Sequence, residues 1–298
     1  MTAMAMVPRP LAPHPRSDAA WTCAEPVPGP AGYFEETFGE GRGDGPGPYA
    51  LEARVLPAQG VPGPAAAGPV FALHGARSDY TRLNPLLFWL QRHGVGSLAC
   101  NLSGHGPGSP LALGQTSLAR NLQEARRFHA AMQPAASVVM GQSLGGALAL
   151  KLAEGSAGAV RKLILVCPAL YPEAAHAQPF GPAFTAAISR PFGFLDASSL
   201  AFLAGWDGEV LLVIGEYDGL RAREHGQPDG RSAGTVLRDG LPRSSVIPYE
   251  AVEAIERAAA GRLRKIVLPG CDHAVSRWLR GDPGRVEALG RQVLAFLG

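Results

Sequence analysis

The sequence predicts an α/β protein: a mostly parallel central sheet covered by helices on both faces, with a small helical lid. Short apolar runs rich in Val, Ile and Leu alternate with longer amphipathic stretches from about residue 70 onward. Gly and Pro clusters separate them, and the final stretch repeats Val286, Leu289, Val293 and Leu297 on one helical face.

The elements follow in order. Residues 1–31 carry seven prolines up to residue 30 and no period, so they predict an extended or mobile arm ahead of a single domain at 32–298. An aromatic-rich run at 33–38, a Gly/Pro turn cluster at 41–48 and the alternating run 49–56 predict two antiparallel strands. Strand and helix then alternate: strands at 70–73, 96–101, 137–140, 163–167, 210–214 and 266–268, and helices near 83–92, 117–132, 144–153 and 249–259. Two interruptions break this rhythm. The stretch 168–205, rich in Pro, Phe and Ala, is far longer than the roughly 2–6 residues that an ordinary connection needs, and predicts a lid. The stretch 220–248, rich in Arg, Gly and Asp, predicts a surface loop.

Composition excludes several classes. At 46% hydrophobic and 17% charged residues, the chain carries the apolar content of a compact body. Its 27 basic and 25 acidic residues give a net charge of +2 without a dense basic cluster, which argues against nucleic acid. No apolar run approaches the roughly 20 residues needed to span a bilayer, and Pro8, Pro10, Pro13 and Pro15 interrupt the place of a signal peptide, so no membrane association and a cytoplasmic location are expected. Cys23, Cys100, Cys167 and Cys271 lie far apart, which suggests neither a zinc site nor a disulfide framework; Cys100 and Cys167 read as buried thiols. No histidine pair has metal-ligand spacing, and no cofactor is expected.

The chemistry concentrates at 137–146, where an apolar strand runs into Gly141-Gln142-Ser143-Leu144-Gly145 and then an Ala/Leu helix. This is the nucleophile elbow in its strand–turn–helix context. The turn forces Ser143 into a strained conformation, so the neighbours two positions away must lack side chains, and the helix beginning at Leu144 turns a free N–H toward a developing oxyanion. A serine nucleophile needs a base and a group that orients it. The strand at 210–214 runs into Gly-Glu216-Tyr-Asp218-Gly, and that at 266–268 into Pro-Gly-Cys-Asp272-His273. The resulting order, Ser143, Asp218, His273, is the one expected of loops at the carboxyl edge of such a sheet.

From about residue 32 to the end the sequence resembles the α/β-hydrolase family. The resemblance rests on LHGA at 73–76, NLSGHGPGS at 101–109, GQSLGG at the elbow, and the GEYDG and GCDHA loops. It implies that the amides of Ala76 and Leu144 form the oxyanion hole, that Asp218 is the acid and that His273 is the base. Asn101-Leu102-Ser103 stands where the family often has Asp-x-Arg, and the 220–248 insertion stretches the Asp218–His273 spacing to 55 positions. Glu216 and Asp272 are therefore rival carboxylates, with triad geometry as the criterion; a side chain adjoining the histidine would ordinarily point away.

The remaining candidates read as structural. His74 fixes the oxyanion turn and His105 braces its loop, whereas His93, His129 and His225 read as solvated or capping residues. Ser78 or Asp79 can cap the helix that follows, and Phe180, Phe184, Phe192, Phe194, Phe202 and Trp206 form lid core more than substrate contacts. The expected function is a serine hydrolase acting on a carboxylic ester or thioester of a small molecule. An acyltransferase or cyclase, a peptidase, a C–C hydrolase and a perhydrolase use the same triad, and a binding protein of the same fold is the reading from another class.

Overall fold

The computed structural model describes residues 25–39, 47–60, 70–132, 135–221 and 234–298. Among them an eight-stranded sheet runs β1-β2-β4-β3-β5-β6-β7-β10. Its antiparallel edge is β1 (Gly32–Phe38) and β2 (Tyr49–Leu56), the latter also antiparallel to β4 (Ser97–Cys100). All neighbours beyond β4 are parallel: β3 (Val70–Leu73), β5 (Val138–Gln142), β6 (Lys162–Val166), β7 (Glu209–Gly215) and β10 (Leu263–Leu268). Every residue of β3, β4 and β5 is buried, as expected of strands with helices on both faces.

Helices α1 (Asn84–Arg92), α8 (Val275–Arg280) and α9 (Pro283–Leu297) pack together in one layer. A second layer holds α2 (Leu118–Ala131), α3 (Leu144–Glu154), α6 (Ser198–Gly205) and α7 (Tyr249–Ala258). The last helix buries Leu289, Val293 and Leu297, three of the four residues that marked its apolar face, while Val286 packs against the core partly buried. Among the described residues no helix is long and apolar enough to cross a membrane.

The predicted lid folds as short helices, α4 (Glu173–His176), α5 (Pro182–Ile188) and α6, with a 3₁₀ turn at Gly193–Asp196. Phe180 is buried and packs edge-on to Phe184, whereas Phe192 stands exposed. Of the predicted arm, residues 1–24 lie outside the described residues. Glu25 pairs with Arg280 on α8, and the Pro30 carbonyl accepts a hydrogen bond from Gln91 Nε2 at 2.7 Å.

Two expectations are corrected. The stretch 220–248 is more than a surface loop: β8 (Gly234–Arg238) and β9 (Leu241–Ser245) form an antiparallel hairpin there, turning at Asp239-Gly240 with both residues at positive φ. Charged residues interleaved along this stretch hid its alternation. His129 is not solvated: it is buried, its Nε2 lies 2.8 Å from the Ala136 carbonyl, and its ring packs against Phe71. Its place on the inner face of α2 decides this. His93 does act at a cap, stacked on Trp89 with Nδ1 at the Trp89 carbonyl; His225 lies outside the described residues.

Candidate active site

Ser143 stands between the end of β5 and the start of α3 with φ 53 and ψ −118, a conformation that L side chains rarely adopt. Neighbouring backbone crowds this turn. A Cβ on Gly145 would lie 2.6 Å from the His74 carbonyl oxygen, and one on Gly146 would lie 2.7 Å from Pro168 Cβ. A Cβ on Gly141 would meet the Gly145 carbonyl. The glycines therefore let strand, helix and the 74–77 loop converge on one hydroxyl, held from behind by the Ser143 N–H donating to the Val166 carbonyl at 3.0 Å.

Sheet register brings the other groups to the same edge. Because β10 lies parallel to β7 with Leu268 opposite Gly215, the loops that leave these strands are neighbours despite their distance in sequence. His273 Nε2 lies 3.1 Å from Ser143 Oγ, and His273 Nδ1 lies 2.8 Å from Asp218 Oδ2. The Asp218 side chain is 0% exposed and that of His273 17%, so the carboxylate is sealed while the imidazole keeps an edge toward solvent. The second carboxylate oxygen, Oδ1, accepts the Val246 and Ile247 N–H groups at 2.7 and 3.0 Å. Asp218 is thus a fixed acceptor that can hold the imidazole with Nδ1 protonated and Nε2 free to take the serine proton.

The rival carboxylates face elsewhere. Glu216 Oε2 accepts the Gly270 N–H at 2.6 Å. Asp272 accepts from the Ala274 N–H at 2.9 Å and from the Ser244 N–H at 3.1 Å. Its side chain does point away from the imidazole, but into hydrogen bonds that tie loops together; the Asp-x-Ala spacing of an Asx turn was its only sequence signal.

The loop opposite the serine is braced by two neutral histidines. His74 Nε2 accepts the Leu102 N–H at 3.2 Å, so its proton sits on Nδ1, which donates to the Gly75 carbonyl at 2.8 Å. His105 Nδ1 accepts the Arg77 N–H at 3.2 Å, which leaves Nε2 to donate to Asn121 Oδ1 at 3.0 Å. Burial lowers the pKa of both, that of His105 to about 4 with the neighbouring His74 adding to the effect. So braced, the loop passes close enough that a Cβ on Gly75 would sit 3.3 Å from Ser143 Cβ. The Ala76 and Leu144 N–H groups have no protein acceptor among the described residues.

Asp79 caps the following 3₁₀ turn (Tyr80–Leu83) by accepting the Thr81 N–H at 2.8 Å. The bracing extends to Asn121 and to buried Glu124, which accepts the Ser103 N–H and the Tyr49 hydroxyl at 3.0 and 2.6 Å. Sequence reasoning passed over both because a helical Asn and Glu carry no motif.

A profile described as serine aminopeptidase, S33, matches residues 64–198. Solved structures align over most of this chain and nearly all of their own. The monoacylglycerol lipase of Paleococcus ferrophilus is 17% identical over 83% of this chain and 98% of that one, with a TM-score of 0.56. A thermophilic esterase from Thermogutta terrifontis is 16% identical over 85% and 95%, with a TM-score of 0.55. The thioesterase domain from the curacin biosynthetic pathway is 16% identical over 88% and 99%, with a TM-score of 0.53. The chain has the α/β-hydrolase fold. No curated sequence matches it significantly.

Cys100 and Cys167 are fully buried thiols, and Cys271 is buried as well. Burial pushes the Cys167 thiol pKa well up, and the charge of Asp218 adds to it. Cys167, Asp218 and His273 place donor atoms within 4.8 Å of one another. These donors suit a metal poorly: the thiol resists ionisation, and the Asp218 oxygens are already committed to two amides and an imidazole.

Proposed function

We propose that this protein is an α/β-hydrolase, a serine hydrolase that cleaves a carboxylic ester or thioester of a small organic substrate through an acyl-enzyme on Ser143. One observation carries the reading: the unbroken run of hydrogen-bond contacts from Ser143 Oγ through His273 to a sealed Asp218, at 3.1 and 2.8 Å. His273 Nε2 takes the Ser143 proton as Oγ bonds to the substrate carbonyl carbon, and the carbonyl oxygen becomes an oxyanion. The free amides of Ala76 and Leu144 and the N-terminus of α3 stabilise it. Collapse expels the alcohol or thiol, protonated by the imidazolium, and leaves the acyl ester on Oγ. Water, deprotonated by the same imidazole, then attacks the ester; the acid departs and Ser143 regains its proton. Asp218 keeps its charge throughout and stabilises the imidazolium.

The lipase, esterase and thioesterase names among its structural neighbours agree with ester and thioester substrates. The serine aminopeptidase profile favours a second reading, cleavage of an aminoacyl amide by the same residues.

Intact-mass labelling with a fluorophosphonate tests the proposal. A single adduct on the wild type, absent from Ser143→Ala and much slowed in His273→Ala, is the expected result; comparison of p-nitrophenyl esters, acyl thioesters and aminoacyl p-nitroanilides then separates the two readings. A Ser143→Ala protein that hydrolyses its substrate at the wild-type rate overturns both.

A further inference from the structure

The β8–β9 hairpin interrupts the passage from β7 to α7, and its far end lies against the loops that carry the acid and the base. Three residues within 244–247 make the contacts. Ser244 offers both of its backbone groups to one dipeptide: its N–H donates to Asp272 Oδ2 at 3.1 Å, and its carbonyl accepts the His273 N–H at 2.9 Å. The N–H groups of Val246 and Ile247 donate to Asp218 Oδ1. A third grip lies nearer the turn, where the Tyr217 hydroxyl donates to Asp239 Oδ2 at 3.3 Å and Arg243 stands over the Tyr217 ring. One short segment thus holds residues 217 and 218 on one loop and 272 and 273 on the other.

Asp272 is what couples them. Its carboxylate spends one oxygen on its own turn, at the Ala274 N–H, and the other on the hairpin, at the Ser244 N–H. Charge-assisted hydrogen bonds of this kind are stronger than neutral ones and fix direction as well as distance. The acid and the base differ by 55 positions in sequence, and this segment gives them a common template.

We propose that the β8–β9 hairpin positions the acid–base pair, with Asp272 as the positioning residue that ties the hairpin to the His273 loop. The proposal rests on the serine-hydrolase reading. Displacement of the hairpin would leave a sealed carboxylate oxygen without its two donors and would let the imidazole drift from Ser143.

The test uses Asp272→Ser, Ser244→Pro and the double variant of the full chain. Serine at 272 can still accept the Ala274 N–H, so the local turn survives while the bond to the hairpin is lost. Proline at 244 removes that same bond from the other side without a change of charge. With a p-nitrophenyl ester that the wild type turns over, each single variant is expected to lower kcat about tenfold or more, with KM within about twofold. The double variant is expected to lose no more than the worse single one. The far-downfield proton resonance of the His273 Nδ1–H bond to Asp218 is expected to shift or broaden in all three, while the melting temperature reports any loss of folded protein separately.

A kcat within about twofold of wild type in Asp272→Ser, losses that add in the double variant, or an unmoved resonance overturns the proposal. Should Ser244→Pro fail to fold, Asp272→Ser carries both readouts alone. A wild type that takes no fluorophosphonate and cleaves no ester sinks the hydrolase reading instead, and the resonance still decides whether the hairpin sets the bond.

Discussion

The ring of His105 accepts the backbone N–H of Arg77 at 3.2 Å, so the loop beside Ser143 depends on an imidazole that stays neutral. Burial holds the pKa of His105 down to about 4, against about 6.5 in an unfolded chain. Between these values the unfolded chain takes up a proton that the folded one refuses. Stability contributed by the neutral ring is full above about pH 6.5 and is lost as the pH falls toward 4, at up to about 1.4 kcal/mol per pH unit. Melting temperatures from pH 7 down to 5 are expected to fall in the wild type and to fall less steeply in His105→Gln. Parallel curves would refute the assignment.

Asp218→Asn keeps the shape of the acid but not its acceptors. Its amide must turn an NH₂ either toward the Val246 and Ile247 N–H groups or toward His273 Nδ1, and the second choice imposes the wrong tautomer. A loss of about 10³- to 10⁴-fold in kcat, with little change in KM, is expected of an orienting carboxylate. Retention of a tenth of the activity would remove Asp218 from that role.

Gly145→Ala probes the elbow. The added methyl would press on the Leu73 and His74 carbonyl groups, which belong to backbone and cannot swing aside. A destabilisation of about 1–3 kcal/mol is expected from overpacking, together with loss of fluorophosphonate labelling as the 74–77 loop moves from Ser143. Calorimetry and intact-mass measurement on the same sample check both.

Lys151 links α3 to both ends of the lid. Its Nζ pairs with Glu173 at 2.7 Å and Glu154 at 3.3 Å and donates to Ser198 Oγ at 2.5 Å, while the Ser198 N–H donates to Glu173. Burial alone would raise the Glu173 pKa, but these bonds hold it at about 2. Lys151→Met leaves two carboxylates facing each other without their cation. Faster amide exchange confined to 173–176 and 198–205, with β5 and β6 unchanged, is the expected outcome of a hydrogen-exchange comparison.

The sequence by itself determined what depends on local pattern. Apolar runs marked the strands of the parallel sheet, and the period of 286–297 marked the last helix. The glycines flanking Ser143 announced a turn that only small residues permit, and the HG and GHG pairs announced loops braced by histidines. Tertiary structure alone decided which of Glu216, Asp218 and Asp272, three carboxylates within the same two loops, lies against His273. The decision lies in where each side chain leaves its loop: the parallel register of β7 and β10 sets the loops side by side, and the hairpin supplies amides to Asp218 from residues 28 and 29 positions away. No local pattern encodes such contacts. The hairpin itself stayed hidden for the same reason: β9 and the residues after it meet Asp218, Asp272 and His273 through backbone groups, and Leu237 and Leu241 stand exposed, so no apolar alternation marks it and its partners are distant.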